Sequence, residues 1–330
     1  MALIPRGKKK GEEGYGQGKV VISQGADVLL DEEQLVKELL DYVESPDYSP
    51  PTLPAVAMEL MSLSQKVDVE ISDVVKLLEQ DSMIAGRVLR MVSLSSMSGV
   101  VKITSLSEAT MRLGLLKIRD IVMEIAVNMR VFKSEDYGGA METLRQHATQ
   151  TAHLSRLVCN YTPIEGEFAF MAGLLHDVGI AGTLLALAER KTRRRGPPDL
   201  TSIWPALDRV HQRTGEVMAK HWELPSDIQI AISAHHQVLV GGYPHPLAAT
   251  VAISNQLCHE VGTGVIPKEG EALEKMDPLE RACLESHAYV DQSSRKTLEH
   301  AQEALGIDSK MLGLMREDAR TMLEQLAAEG

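Results

Sequence analysis

From about residue 55 onward, apolar positions recur with the spacing of one helix face after another. Ile71, Val74, Val75 and Leu78 follow the i, i+3, i+4, i+7 pattern of a single buried stripe. Ile84, Val88 and Met91 repeat it after Asp81, whose carboxylate suits a helix N-cap. Ser105 and Glu108 have the spacing of a capping box and place another helix start there. Ile118, Ile121, Val122 and Ile125 mark the next apolar face, after Gly114. Further helices are expected around Met141 to Tyr161, Glu167 to His176, Ile203 to His221, Asp227 to His236 and Leu247 to Val261. The β-branched stretch Val100 to Thr104 has no evident strand partner and is read as loop. The pattern predicts an all-α protein.

The same pattern divides the chain. Residues 1–30 carry the Lys8-Lys9-Lys10 run and several glycines with little periodicity, which predicts a flexible tail. A short amphipathic helix follows in residues 31–45, with Leu35, Leu39 and Val43 on one side. Ser45 to Pro54 holds four prolines and should be an extended connector. The polar, glycine-containing stretch Lys133 to Gly139 is the best internal boundary. It separates an N-terminal helical subdomain, residues 46–135, from a second one, residues 140–262, within a unit spanning 46–264. Residues 265–330 should add a polar stretch and two helices. The last, from about Ser309, carries Leu312, Met315, Ala319, Met322 and Leu326 on one side, a stripe more suited to docking on its own domain than to a dimer seam. No internal repeat at a fixed period is present.

Composition narrows the function classes. Aromatics are only 4% of the 330 residues, so Leu, Val, Ile, Ala and the 16 Met must fill the core, a mixture that favours helices. A formal net charge of -12 argues against sequence-independent nucleic-acid binding, which needs surplus Lys and Arg to displace counterions. Cys159, Cys258 and Cys283 are an odd number at unrelated spacings and read as reduced thiols without metal-ligand spacing. No apolar run is expected to approach the roughly 18 residues of a membrane span, and the basic start does not resemble a signal peptide. The expected location is the cytoplasm.

The candidate chemistry lies in scattered residues: His147, His176-Asp177, His211, His235-His236 and Asn255. Each falls in or at the end of an expected helix, and helical bundles assemble metal sites from single ligands on separate helices. Such a set would be expected to close with a carboxylate, where position 255 supplies an amide. A His and carboxylate mixture suits Fe, Mn, Zn or Ni. Taken singly, a histidine at a helix end is more often packed or capping than ligating, and His153, His221, His245, His259, His287 and His300 are read that way. The basic run Arg190 to Arg195 is read as a solvated loop, with Arg193, Arg194 and Arg195 as weak phosphate-contact candidates.

The HD dipeptide stands in Met171-Ala172-Gly173-Leu174-Leu175-His176-Asp177-Val178-Gly179, a context that resembles the HD superfamily of metal-dependent phosphohydrolases. His147 stands where that superfamily places its first ligand, and His211 is followed by Gly215 on the same helix face. Leu53-Pro54-Ala55-Val56, the stretch Asp81 to Arg90, Ile103 to Ala109 and Arg112-Leu113-Gly114 narrow the resemblance to the HDOD family, HD-related output domains of bacterial signalling proteins. It covers roughly residues 46–262. The resemblance implies an HD-superfamily-like helical bundle with an N-terminal helical subdomain, a role in signal transduction, and a regulatory rather than catalytic output in most members. His235-His236 and Gly242-Tyr243-Pro244 also resemble the HD-GYP cyclic-di-GMP phosphodiesterases, with a spacing one residue shorter. Two departures stand out: Ile180 occupies the position of an HD-GYP lysine, and Asn255 that of the closing aspartate.

The leading expectation is a signalling protein acting as a non-catalytic regulatory, protein-interaction module with a degenerate metal pocket. Its partners would be signalling proteins or a nucleotide second messenger, with no membrane and no direct nucleic acid, and a homodimer is compatible. The alternative is a metal-dependent phosphohydrolase or cyclic-dinucleotide phosphodiesterase, with metal held by His147, His176, Asp177 and the downstream histidines.

Overall fold

The structure, a computed structural model, describes residues 20–21, 29–95, 103–189, 198–261 and 292–329. Among these the chain is helical almost throughout. The helix α1, Glu32–Val43, is capped by Asp31, whose carboxylate accepts from Gln34 N at 2.8 Å. It buries Leu35, Val36, Leu39 and Val43 against α10, Leu200–His221. Arg209 and Arg213 of α10 fasten it further, through Glu32 and Glu33 and through Glu44 respectively. In the segment expected to be a tail, Val20–Val21 (β1) pairs antiparallel with Leu29–Leu30 (β2). The rest of that segment lies outside the described residues.

The N-terminal helices are α2, Ala55–Ser64, α3, Ile71–Glu79, α4, Ser82–Ser95, α5, Leu106–Leu113, and α6, Leu115–Arg130. Asp81 caps α4, its Oδ1 accepting from Met83 N and Ile84 N. Ser105 caps α5 by accepting from Glu108 N at 3.1 Å. The reciprocal bond of the expected box goes one residue upstream, from Thr104 N to Glu108 Oε2. Of the stretch read as loop, Ile103 and Thr104 are irregular, and residues 100–102 lie outside the described residues.

The second group comprises α7, Gly138–Tyr161, α8, Ala169–Leu175, α9, Val178–Glu189, α10, α11, Ser226–Ala234, and α12, Pro246–Val261. Periodicity did not predict α9. Nine of its twelve residues are buried, so it has no polar face and therefore no stripe to read. The path from Ala169 to Glu189 also corrects the expectation that no run is long and apolar enough to cross a membrane. It spans 21 residues at hydropathy 1.6, and 89% of that window is buried inside the fold, as in a core helix. One apolar core runs from Leu35 through α2–α6 into Ile232, joining both helical groups.

At the junction of the two groups, Arg119 of α6 is 1% exposed and Asp120 is fully buried. Arg119 Nε and Nη2 donate to Asp120 Oδ1 at 3.1 and 3.0 Å, and Arg156 of α7 donates to Asp120 Oδ2. Buried charges are tolerated only when paired in this way.

Two closing helices, α13, Gln292–Leu305, and α14, Ser309–Glu329, cover α12 and α7. Met315, Ala319 and Leu323 are buried there, so the C-terminal stripe docks on its own chain. Arg316 Nε pairs with Glu260 at 2.5 Å along the same contact.

Candidate metal centre

His176 caps the C-terminal end of α8, Asp177 starts the turn into α9, and His235 caps α11, while His147 and His211 lie within α7 and α10. Two glycines make the convergence of these helices sterically allowed. A β-carbon on Gly173 would meet Thr151 O at 2.7 Å on α7, and one on Gly179 would meet His211 O at 1.9 Å on α10. Gly215 completes the approach, since a β-carbon there would fall 2.6 Å from Ile232 of α11. Hence α8 and α9 lie backbone against backbone with the helices that carry the other histidines.

Asp177 stands at the centre. Its Oδ2 lies 3.1 Å from His176 Nε2 and 3.7 Å from His147 Nε2. Its Oδ1 lies 3.3 Å from His235 Nε2 and 3.6 Å from His211 Nε2. Two groups of donor atoms result, His147, His176 and Asp177 in one, and Asp177, His211, His235 and His236 in the other, with the atoms of each within 4.8 Å of one another. His147, His176, His211 and His235 are buried, whereas Asp177 is partly open and His236 is exposed. The site therefore meets solvent on the His236 side.

Hydrogen bonding decides which ring nitrogen faces inward. His176 Nδ1 donates to Gly173 O at 2.8 Å, His211 Nδ1 to Asp208 O at 2.6 Å, and His235 Nδ1 to Ile232 O at 2.9 Å. A carbonyl can only accept, so each Nδ1 carries hydrogen and each neutral ring turns an Nε2 lone pair inward. His211 Nε2 and His235 Nε2 thus confront one another at 3.4 Å beside Asp177 Oδ1, which has no hydrogen-bond partner among the described residues. Three acceptors facing one point require a proton or a cation between them.

The electrostatics differ on the two sides. Burial opposes charge on His176, but the Asp177 carboxylate outweighs it and raises the His176 pKa. Burial likewise works against the Asp177 carboxylate, yet the surrounding imidazoles hold its pKa well below the ordinary range. At His235 burial prevails and lowers the pKa to about 4. A proton can therefore serve the His176 side, while His235 stays neutral and keeps its lone pair for a Lewis acid.

The donor set fits a divalent transition metal: imidazole nitrogens, one carboxylate offering an oxygen to each side, and outer hydrogen bonds that orient the rings. Asn255 of α12 lies one turn before Cys258, whose Sγ touches His147 Nδ1 at 3.5 Å, and His259, which stacks on His147 with ring centroids 4.9 Å apart. Asn255 is 8% exposed, and its buried Oδ1 has no hydrogen-bond partner among the described residues, a neutral oxygen on the helix that flanks His147.

Of the expected residues, His147, His176, Asp177, His211, His235 and His236 come together. Arg193, Arg194 and Arg195 lie outside the described residues, as do Cys283 and His287. Cys258, read as a thiol without metal-ligand spacing, and His259, read as a packed or capping histidine, both lie against His147. Their i+3 and i+4 spacing from Asn255 was the signal that places all three on one helix face. His245 does cap, accepting from Ala248 N at 3.4 Å. Ile180 is 4% exposed within the main core, so it is a packing residue.

Gly242-Tyr243-Pro244 belongs to a hairpin, Leu239–Val240 (β3) paired with Tyr243–Pro244 (β4), that periodicity did not predict. Gly241 and Gly242 turn it with φ of 60° and 86°, as a tight two-residue turn requires. Val238, between His236 and this hairpin, is buried at φ 63°, a strained conformation for a β-branched residue.

Comparison with known proteins identifies the family and the fold. The HDOD domain profile matches residues 50–238, and the chain belongs to the HDOD family. An uncharacterized protein of Treponema pallidum (strain Nichols) is 24% identical over 259 residues, 74% of this chain and 48% of that protein. The chain thus spans about half the length of that relative. Among solved structures, an HDOD domain protein of unknown function from Geobacter sulfurreducens superposes with a TM-score of 0.60 at 21% identity, covering 88% of this chain and 97% of that one. A protein from Shewanella amazonensis SB2B, described provisionally as a metal-dependent phosphohydrolase, gives 0.56 at 16% identity over 83% and 99%. These likenesses show the HD-like helical fold.

Proposed function

We propose that this chain is a cytoplasmic bacterial signalling protein whose HDOD domain retains a metal-holding pocket, and that the pocket binds a phosphate ester, such as a nucleotide second messenger, without rapid turnover. The observation that carries the reading is the confrontation of His211 Nε2, His235 Nε2 and Asp177 Oδ1. His147, His176 and Asp177 would hold an ion on one side, and Asp177, His211, His235 and His236 on the other. A divalent ion so held supplies a Lewis acid that lowers the pKa of bound water and offsets negative charge on a phosphoryl oxygen.

The chain's own residues limit the chemistry. Asn255 contributes no charge, so affinity on its side falls. Ile180 is packed in the core and offers no cation to a phosphate. Loss of one charged transition-state contact costs about 3 kcal/mol, roughly a hundredfold in rate. Binding then couples the pocket to a partner protein through the helical surface.

A second reading, a metal-dependent cyclic-dinucleotide phosphodiesterase, is favoured by the exposure of His236 and the partial opening of Asp177, which leave the pocket within reach of water and substrate. Metal analysis of the purified full chain, followed by assay against cyclic dinucleotides, separates the two. Bound metal with binding but negligible turnover supports the first. Turnover at about one per second or faster establishes the second. Absence of stoichiometric metal overturns both.

A further inference from the structure

Four buried histidines face Asp177, and three are oriented by the carbonyl of the residue three positions earlier. His147 also has a side-chain neighbour at Nδ1: Cys258 Sγ of α12, at 3.5 Å. The same sulfur lies 3.4 Å from Gln150 Oε1. An amide oxygen accepts and never donates, so the thiol hydrogen points to Gln150. The sulfur then presents lone pairs to His147 Nδ1, the role that carbonyl oxygens play at the other three rings.

We propose that Cys258 is a positioning residue for this centre. Its sulfur accepts Nδ1–H from His147 and holds that ring in the tautomer whose Nε2 lone pair faces His176 Nε2 at 3.3 Å and Asp177 Oδ2 at 3.7 Å. His259, on the same turn of α12, sets the plane of the ring by stacking on it at an interplanar angle of 29°. One helix face therefore fixes both the rotation and the tautomer of a ligand carried by another. Cys258 is 1% exposed, which keeps water from competing for the Nδ1 hydrogen.

Without the sulfur, His147 can place its hydrogen on Nε2 and donate it to Asp177 Oδ2 or to His176. That internal hydrogen bond uses the lone pair a metal needs. Outer contacts of this kind typically change metal affinity by about 10- to 100-fold. The inference rests on the metal-holding reading for its consequence, but the tautomer itself can be read without metal.

The test uses the metal-free full chain labelled with ¹⁵N-histidine, with long-range ¹H–¹⁵N correlations reporting the tautomer and His147→Gln assigning the signal. Wild type should show His147 as the Nδ1–H form. Cys258→Val, close in size but without an acceptor, should shift it toward Nε2–H. Cys258→Ser, whose hydroxyl accepts, should keep Nδ1–H. Zn²⁺ or Co²⁺ affinity by titration should fall about tenfold or more in the valine variant and be recovered in the serine variant. An Nε2–H tautomer already present in wild type overturns the proposal, and this needs no variant to fold. An unchanged tautomer in a folded valine variant overturns it as well. If the tautomers behave as expected while wild type binds no metal, the positioning role stands and the metal-holding reading fails.

Discussion

Gly179 on α9 abuts His211 on α10 so closely that a β-carbon on Gly179 would fall 1.9 Å from the His211 carbonyl oxygen. Asp177 begins the same turn as Gly179, and its Oδ1 faces His211 Nε2 at 3.6 Å. The depth to which two backbones sink together thus sets the distance between a carboxylate and an imidazole.

Gly179→Ala should therefore act on the site as well as on the fold. The methyl would meet backbone, which cannot rotate away, so α9 must move off α10. Overpacking of this kind costs about 1–3 kcal/mol. Urea denaturation should show that loss, and metal content per chain should fall in protein that remains folded. Metal content unchanged in a folded variant would disconnect the glycine from the centre.

Asp177 is the carboxylate common to both donor groups, whereas His236 stands at their exposed edge. Asp177→Asn should abolish stoichiometric metal, since the oxygen facing each histidine pair loses its charge. His236→Ala should leave most of it. Elemental analysis of both variants checks the order, and equal losses would contradict it.

Asn255→Asp should change stability in opposite directions with and without metal. In the metal-free chain a second buried carboxylate near the site adds repulsion and desolvation, so Tm should fall. With Zn²⁺ or Mn²⁺ present, the added charge should tighten binding by about tenfold or more and raise Tm above that of the loaded wild type. Thermal melts in chelator and in excess metal report both signs. A rise in both conditions would mean that position 255 does not face the centre.

Acid should weaken the metal-free chain through histidines held neutral. Burial lowers His153 to about 4, with Lys117 and Arg156 adding repulsion, and burial lowers His235 to about 4 as well. Unfolded histidine takes up its proton near pH 6.5, so between 6.5 and 4 the unfolded state binds more protons. Stability is full above pH 6.5 and is lost as pH falls toward 4, by about 1.4 kcal/mol per unit per histidine. His153→Gln should flatten this slope in urea titrations at several pH values, and an unaltered slope would exclude His153 as a source.

Arg119→Met should be severe, because it strips Asp120 Oδ1 of the Arg119 Nε and Nη2 donors and leaves the buried carboxylate to Arg156 at Oδ2. Removing one member of a buried charge network costs about 3–5 kcal/mol. Chemical denaturation should show a loss of that order, against one below about 0.5 kcal/mol for the exposed Lys76→Ala.

Much of the helical order was legible because most helices have one wet face. The caps at Asp81 and Ser105 could be read directly, and so could α3, although Ile71 of its expected stripe is 38% exposed and Leu77 is buried beside Val74 and Leu78 instead. Helix α9 could not, since burial on all sides removes the contrast that periodicity needs. The hairpin at Gly241-Gly242 has strands of two residues, too short for alternation to register. The candidate ligands were legible as residue types in a familiar order, but Cys258 was not, because its neighbour His147 is 111 positions away.

The sequence by itself determined the helical class and the family and named candidate ligands by residue type and order, because periodicity, capping chemistry and motif order are local properties of the chain. Only the tertiary structure decided that Asp177 turns one oxygen to His147 and His176 and the other to His211 and His235. That division depends on how deeply α8 and α9 sink against α7 and α10, which the contacts at Gly173 and Gly179 set. It depends equally on which ring nitrogens find carbonyls. Both are relations between distant segments, and no local pattern in the chain encodes them.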